Sequence, residues 1–210
     1  MATVVVWIYV IALMLAVYIG VVREVRLAIG AYVLQTFLVA CAYALAAISL
    51  KDQSIWWAVL GLIVLRMILI PWLMYRIVPR DMFLARNNHT LISPTFAMLV
   101  YLLLTAVGVG IVSSILGLSG LDMGLALAIL LVAIGIIAIS HHALKQIMGI
   151  LSADNAVDLL ASLTLSRIAL MADYMVFLEV TIAVVLLSLL MVRHRRHGYK
   201  DVRHMSELKG

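Results

Sequence analysis

A chain of 210 residues that is 66% hydrophobic and only 12% charged is too apolar for a water-soluble domain, where about half the residues are apolar and about a quarter charged. Its net charge of +5 would suit a nucleic-acid binder, but the bases cluster at the ends of apolar runs, where they set membrane topology instead. One cysteine, Cys41, excludes an internal disulfide, and no Cys-x-x-Cys pair is present to hold zinc or an iron–sulfur cluster.

A helix needs about 20 apolar residues to cross the hydrocarbon core. On that rule the chain has seven spans, at 3–22, 27–49, 54–78, 91–117, 122–140, 143–165 and 169–192. There is no period-two alternation, so the fold class is an all-α integral membrane bundle rather than a barrel. The first span lacks a preceding base and a small-x-small cleavage site, so it reads as a retained helix rather than a secretory signal. Twelve Lys and Arg residues fall on one side of these spans and two, Lys51 and Arg167, on the other. That asymmetry places the N-terminus outside, the C-terminus in the cytoplasm and the chain in the cell membrane as a multi-pass protein.

The organisation follows from the same spans. Residues 1–90 form a three-helix half that ends in a cytoplasmic connecting loop. Residues 91–140 supply two linking helices, residues 141–192 two more, and residues 193–210 a basic cytoplasmic tail. A short internal repeat is visible in the spacing from Gly30 to Gln35 and from Gly149 to Asp154. Inner symmetry with polar centres at matched places is common in transport proteins.

Charge inside the bilayer is costly, so the polar residues within spans are the candidate functional positions. Asp154 and Asp158 stand four residues apart in the sixth span and share one helix face, where two acids can share a proton. Glu179 is a third carboxylate, at mid-span in the seventh. All three read as stations of a proton relay; the bland alternative is a set of carboxylic acids that glue helices together by hydrogen bonds. Arg66 is the lone base at mid-membrane, too deep to snorkel, and needs Asp154, Glu179 or an acid of another subunit as its partner. Its functional reading is a fixed positive charge that tunes a proton site; the alternative is a structural ion pair. Pro71, five residues on, should loosen that helix.

Secondary positions flank these. Gln35 would hold a water or bridge helices. Lys145 stands at the cytoplasmic mouth of the sixth span, as a path residue or as a topology anchor. Asp173 marks the outer end of the seventh span. His141 and His142 could pass protons at the cytoplasmic face, although solvated loop histidines are the usual case. All six histidines fall in loops or at helix ends, which leaves a bis-histidine haem site without ligands. No metal-ligand pattern stands out.

The whole chain resembles the E-type membrane protein of hydrogenase-4 and formate-hydrogenlyase-type complexes, and its second half is similar to the K subunit of respiratory complex I and the C subunit of Mrp-type antiporters. The resemblance is carried by Gln146-Ile-Met-Gly-Ile-Leu-Ser-Ala-Asp-Asn155, by Leu178-Glu-Val-Thr-Ile-Ala183, by Arg66 ahead of Ile70-Pro71 and by the basic tail from Arg193 to Gly210. The chain departs from the complex I subunit at Leu151, where that family has a glutamate two residues after its glycine. Glu179 therefore carries over directly, and Asp154 by analogy of place. The resemblance implies a subunit with no catalytic centre and no cofactor of its own, nickel–iron or iron–sulfur centres residing in its partners. Those partners would be antiporter-like membrane subunits and a hydrogenase- or quinone-type module, and the subunit would serve proton translocation coupled to their redox chemistry. The alternatives are a subunit of an Mrp-type cation/proton antiporter and a structural spacer without an ion path.

Overall fold

The computed structural model describes residues 2–77, 93–140 and 143–164. Nearly all of them are helical. Helix α1 spans Ala2–Val21 and α2 Val25–Leu50. The third segment is a composite of α3 (Ile55–Gly61), a π-helical stretch (Leu62–Leu69) and α4 (Ile70–Ile77). Then come α5 (Pro94–Leu116), a 3-10 turn (Gly117–Gly120), α6 (Leu121–Ile139) and α7 (Ala143–Thr164). Five of the described helical segments are long and apolar enough to cross a membrane: Thr3–Val21, Val25–Leu50, Ile55–Arg76, Pro94–Leu116 and Leu121–Ile139. Helix α7 is as long, at 22 residues, but it carries Lys145, Asp154 and Asp158. The expected seventh span at 169–192 lies outside the described residues.

Local signals account for the boundaries. Ser93 accepts a hydrogen bond from the Phe96 N–H and Pro94 occupies the first helical position, so α5 begins with a side-chain cap followed by a pre-set φ. Before α3, Asp52 accepts from the Ser54 hydroxyl (2.8 Å) and the Ser54 N–H (2.9 Å). Those two bonds, the hydroxyl first, hold its carboxyl below the usual carboxylate range. Lys51 ends α2 in the left-handed region, at φ 53°. Proline explains the interruption of the third segment. Pro71 has no N–H, and its ring would press on the Met67 carbonyl in a regular α-helix. The preceding turns widen instead, and the Ile70 N–H reaches back five residues to the Leu65 carbonyl.

Helix α1 sits at the centre, packed against α2, α5, α6 and α7; α2 also meets α7 and the composite third segment. The buried core is built from small and aliphatic side chains such as Ala12, Ala16, Ala28, Ala126 and Ile129. The helices approach closely where glycine allows it. A Cβ on Gly108 would stand 2.7 Å from the Ala128 backbone, so α5 and α6 touch main chain to main chain. Close contact through small residues is how helices associate in lipid, where apolar burial alone provides no driving force. The outward faces are correspondingly greasy, with Trp7, Met14, Leu60, Leu103 and Ile115 exposed. Trp56 and Trp57 are exposed at one end of the third segment and Trp72 and Tyr75 near the other, the pattern of interfacial aromatic belts. Arg76 lies over the Trp72 ring, 5.0 Å from its centroid.

Candidate functional site

Three elements bring polar side chains together in the interior of this apolar bundle. Helix α2 contributes Gln35 and Thr36, the π-helical stretch contributes Arg66, and α7 contributes Asn155 and Asp158. Gln35, Thr36 and Asn155 are fully buried and Arg66 is 1% exposed. Arg66 forms an ion pair with Asp158 and donates to the Asn155 side-chain oxygen at 3.1 Å. The Asn155 amide in turn donates to Thr36 (3.1 Å) and to the Gln35 oxygen (3.2 Å). Gln35 completes the line by donating to the Ala12 carbonyl of α1 at 3.2 Å. Thr36 spends its own proton on the Tyr32 carbonyl, one turn back, at 3.0 Å. Two phenols flank the site: Tyr43 lies within electrostatic range of Arg66 and Asp158, and Tyr32 within range of Arg66, Asp154 and Asp158.

The cluster is chemically consistent. Both Asn155 donors and its acceptor are used, and the guanidinium faces a carboxylate. A charge pair is tolerated in such a place only when hydrogen bonds satisfy its remaining polar atoms. The wide turn of the π-helix presents Arg66 inward, so the proline kink and the charge belong to one local arrangement.

Sequence-derived candidates divide accordingly. Arg66 was expected to find Asp154, Glu179 or another subunit; among the described residues its acid is Asp158, with Asn155 beside it. Asp154 lies one turn from Asp158 on α7, half-buried and within electrostatic range of Arg66. Gln35 bridges helices directly, through Asn155 and Ala12. Lys145 is 1% exposed, and its ammonium donates to the Gly20 carbonyl near the end of α1 at 2.9 Å, so it fastens α7 to α1 rather than standing in a wetted mouth. Glu179, Asp173, His141 and His142 lie outside the described residues. The matched spacings of the two halves meet in space, since Gln35 binds the residue next to Asp154. The glycines differ, however: Gly149 packs tightly against Ile137, and Gly30 faces open space.

Thr36, Tyr43, Tyr9 and Ser162 were not singled out from the sequence. Tyr9 of α1 donates to the Leu159 carbonyl at 2.7 Å and stands 3.0 Å from the Ser162 hydroxyl. A lone Thr or Tyr in an apolar helix gives no signal of its own; the signal available was position, since Asp154, Asp158 and Ser162 recur every four residues along one face of α7.

No protein-family model matches the chain, and no solved structure matches it. It is similar to the uncharacterized protein Rv0085 of Mycobacterium tuberculosis, with 27% identity over 177 residues. That similarity covers 79% of this chain and 80% of the other, so it extends over most of both.

Proposed function

We propose that the chain is a seven-span subunit of the cell membrane, N-terminus outside and C-terminus cytoplasmic, in a complex I-like, group 4 hydrogenase-type assembly. Its role in this reading is to carry protonatable groups through the bilayer while partner subunits perform the redox chemistry. The observation that supports it is the buried cluster of Arg66, Asp158, Asn155 and Gln35 in an otherwise apolar bundle. Ionisable groups at membrane depth mark ion paths more often than they serve as glue. Arg66 supplies a fixed charge that keeps an acid at this depth, and Asp154, one turn away, is the group free to exchange a proton with Asp158. Glu179 is the next station. Antiporter-like subunits and a hydrogenase- or quinone-type module would flank the chain.

In membrane vesicles that hold the native assembly, Asp154→Asn and Glu179→Gln should each lower ion translocation per redox turnover while the subunits still co-purify. If both variants pump at the parent rate, the relay role fails. One observation favours a second reading, a structural spacer: every donor and acceptor of Asn155 is spoken for, as in a closed fastening. In that case the same variants would change assembly or nothing, and coupling would stay at the parent value.

A further inference from the structure

Two buried hydroxyls outside the cluster carry no hydrogen bond among the described residues. Thr36, Ser49, Thr105, Ser113, Ser114 and Ser162 each donate to the carbonyl three or four residues back on their own helix. Ser152 of α7 does not: it is 0% exposed and its Oγ is unbonded. The Tyr32 phenol of α2 is in the same state, 0% exposed with its oxygen unbonded. Thr36, one turn on, gives its proton to the Tyr32 carbonyl and accepts from Asn155, so it does not donate to that phenol. The bonds between helices place the two hydroxyls at one level. Helix α1 is antiparallel to α7, by the Lys145–Gly20 and Tyr9–Leu159 contacts, and to α2, which follows it after a short link. Helices α2 and α7 therefore run the same way, and the Asn155 amide bonds Gln35 between them at 3.2 Å. Ser152 stands three residues before Asn155, and Tyr32 three before Gln35. Each thus lies one turn along from the bonded pair, on the same side of it and on a neighbouring face. The stretch of α1 opposite offers alkyl groups, with Ala12, Leu13 and Ala16 buried.

We infer that Tyr32 and Ser152 hold one water between α2 and α7, one turn from the Asn155–Gln35 bond toward the Lys145 end. A buried hydroxyl without a partner is costly, and folded interiors satisfy such groups with ordered water. Both groups are neutral, and each can donate as well as accept, so water completes them in either direction. A cation in the same place would keep an uncompensated charge, since two neutral hydroxyls offset none of it. The remaining proton of the water can go to a helix carbonyl, whose second lone pair is unused. The seam of α7 is then fastened in three ways: by direct side-chain bonds at Asn155, by a water-mediated bond one turn away, and by Lys145 on the Gly20 carbonyl at its start. None of this depends on a relay role for Asp154 or Glu179.

The test uses the purified full chain in lipid nanodiscs and compares Tyr32→Phe, Ser152→Ala and the double variant, each change deleting one oxygen and little volume. With a shared water, either single variant breaks the bridge and lowers the melting temperature by about 2–4 °C. The double variant then loses little more than either single one, because the two residues act through one molecule. In a dry site, deleting either hydroxyl relieves an unsatisfied group, so the single variants melt at or above the parent temperature, which overturns the inference. Losses that simply add overturn it as well, because the two hydroxyls then act separately. A second measurement does not depend on stability. In chain with carbon-13-labelled tyrosine, nuclear magnetisation should pass from water to the Tyr32 ring, the signal being assigned by its loss in Tyr32→Phe. That transfer should be lost in Ser152→Ala and kept in Ser49→Ala, whose hydroxyl is already bonded to the Ala46 carbonyl. No transfer to Tyr32, or transfer unchanged in Ser152→Ala, overturns the shared water.

Discussion

The Arg66–Asp158 pair is where stability and function are hardest to separate. Removing one member of a buried ion pair leaves the other uncompensated, at a cost of roughly 3–5 kcal/mol, whereas replacing both by apolar groups is often neutral. Arg66→Met and Asp158→Leu should therefore each lower the melting temperature of the detergent-purified chain, and the double variant should recover most of the loss. Melting curves of the three variants check this. An additive double variant would mean that Arg66 draws its compensation from Asn155 rather than from Asp158. Arg66 was recognisable in the sequence as a buried charge in need of an acid, because it is the one charged residue near the middle of its span. Its choice of Asp158 over Asp154 was not, because both acids lie on the same helix face and four-residue spacing does not distinguish them. Lys145 shows the same limit. Its position at a helix start reads as a wetted anchor, and only the approach of α1 turns it onto the Gly20 carbonyl.

At the scale of elements, glycine decides how close the helices come. Gly108 and Gly110 stand two residues apart on α5 and face opposite ways: a Cβ at 108 would sit 2.7 Å from the Ala128 backbone, and one at 110 would meet nothing within 4 Å. Gly108→Ala should push α5 away from α6 and cost about 1–3 kcal/mol, since backbone cannot step aside as a side chain can. Gly110→Ala should gain about 0.5–1 kcal/mol from helix propensity alone. Opposite signs in thermal melts of the two variants are the expected result, and equal effects would refute the close α5–α6 contact. The sequence made the helices plain through their length and apolarity, and Pro71 announced a weak point in the third. It did not announce that the weakness would take the form of an eight-residue π-helical stretch, because the compensating bonds form among residues with no local signature of their own. The helix pairings, too, depend on which small residues face each other, and a nearly uniform apolar surface conceals that.

For the whole molecule the question is which way the bundle faces. Helices α1 and α7 run antiparallel, for Lys145 at the start of α7 meets Gly20 near the end of α1, and Tyr9 meets Leu159 at the other end. That relation holds in either orientation of the bundle, so only the distribution of bases chooses between them. In the proposed seven-span topology twelve Lys and Arg residues would fall on one side and two on the other, and short loops are where such a bias acts most strongly. The proposed topology places the Lys51 turn outside and the tail at Gly210 inside. In intact cells carrying Cys41→Ala, a cysteine at Lys51 should react with a membrane-impermeant thiol reagent, and a cysteine at Ser206 should react only after the cells are opened. The converse pattern would invert the bundle, putting Asp122 at the start of α6 at the cytoplasmic face. Protection of both cysteines in intact cells, with both labelled after opening, would mean that the ends of α2 and of the tail share one side, and an odd number of spans between them would then be impossible.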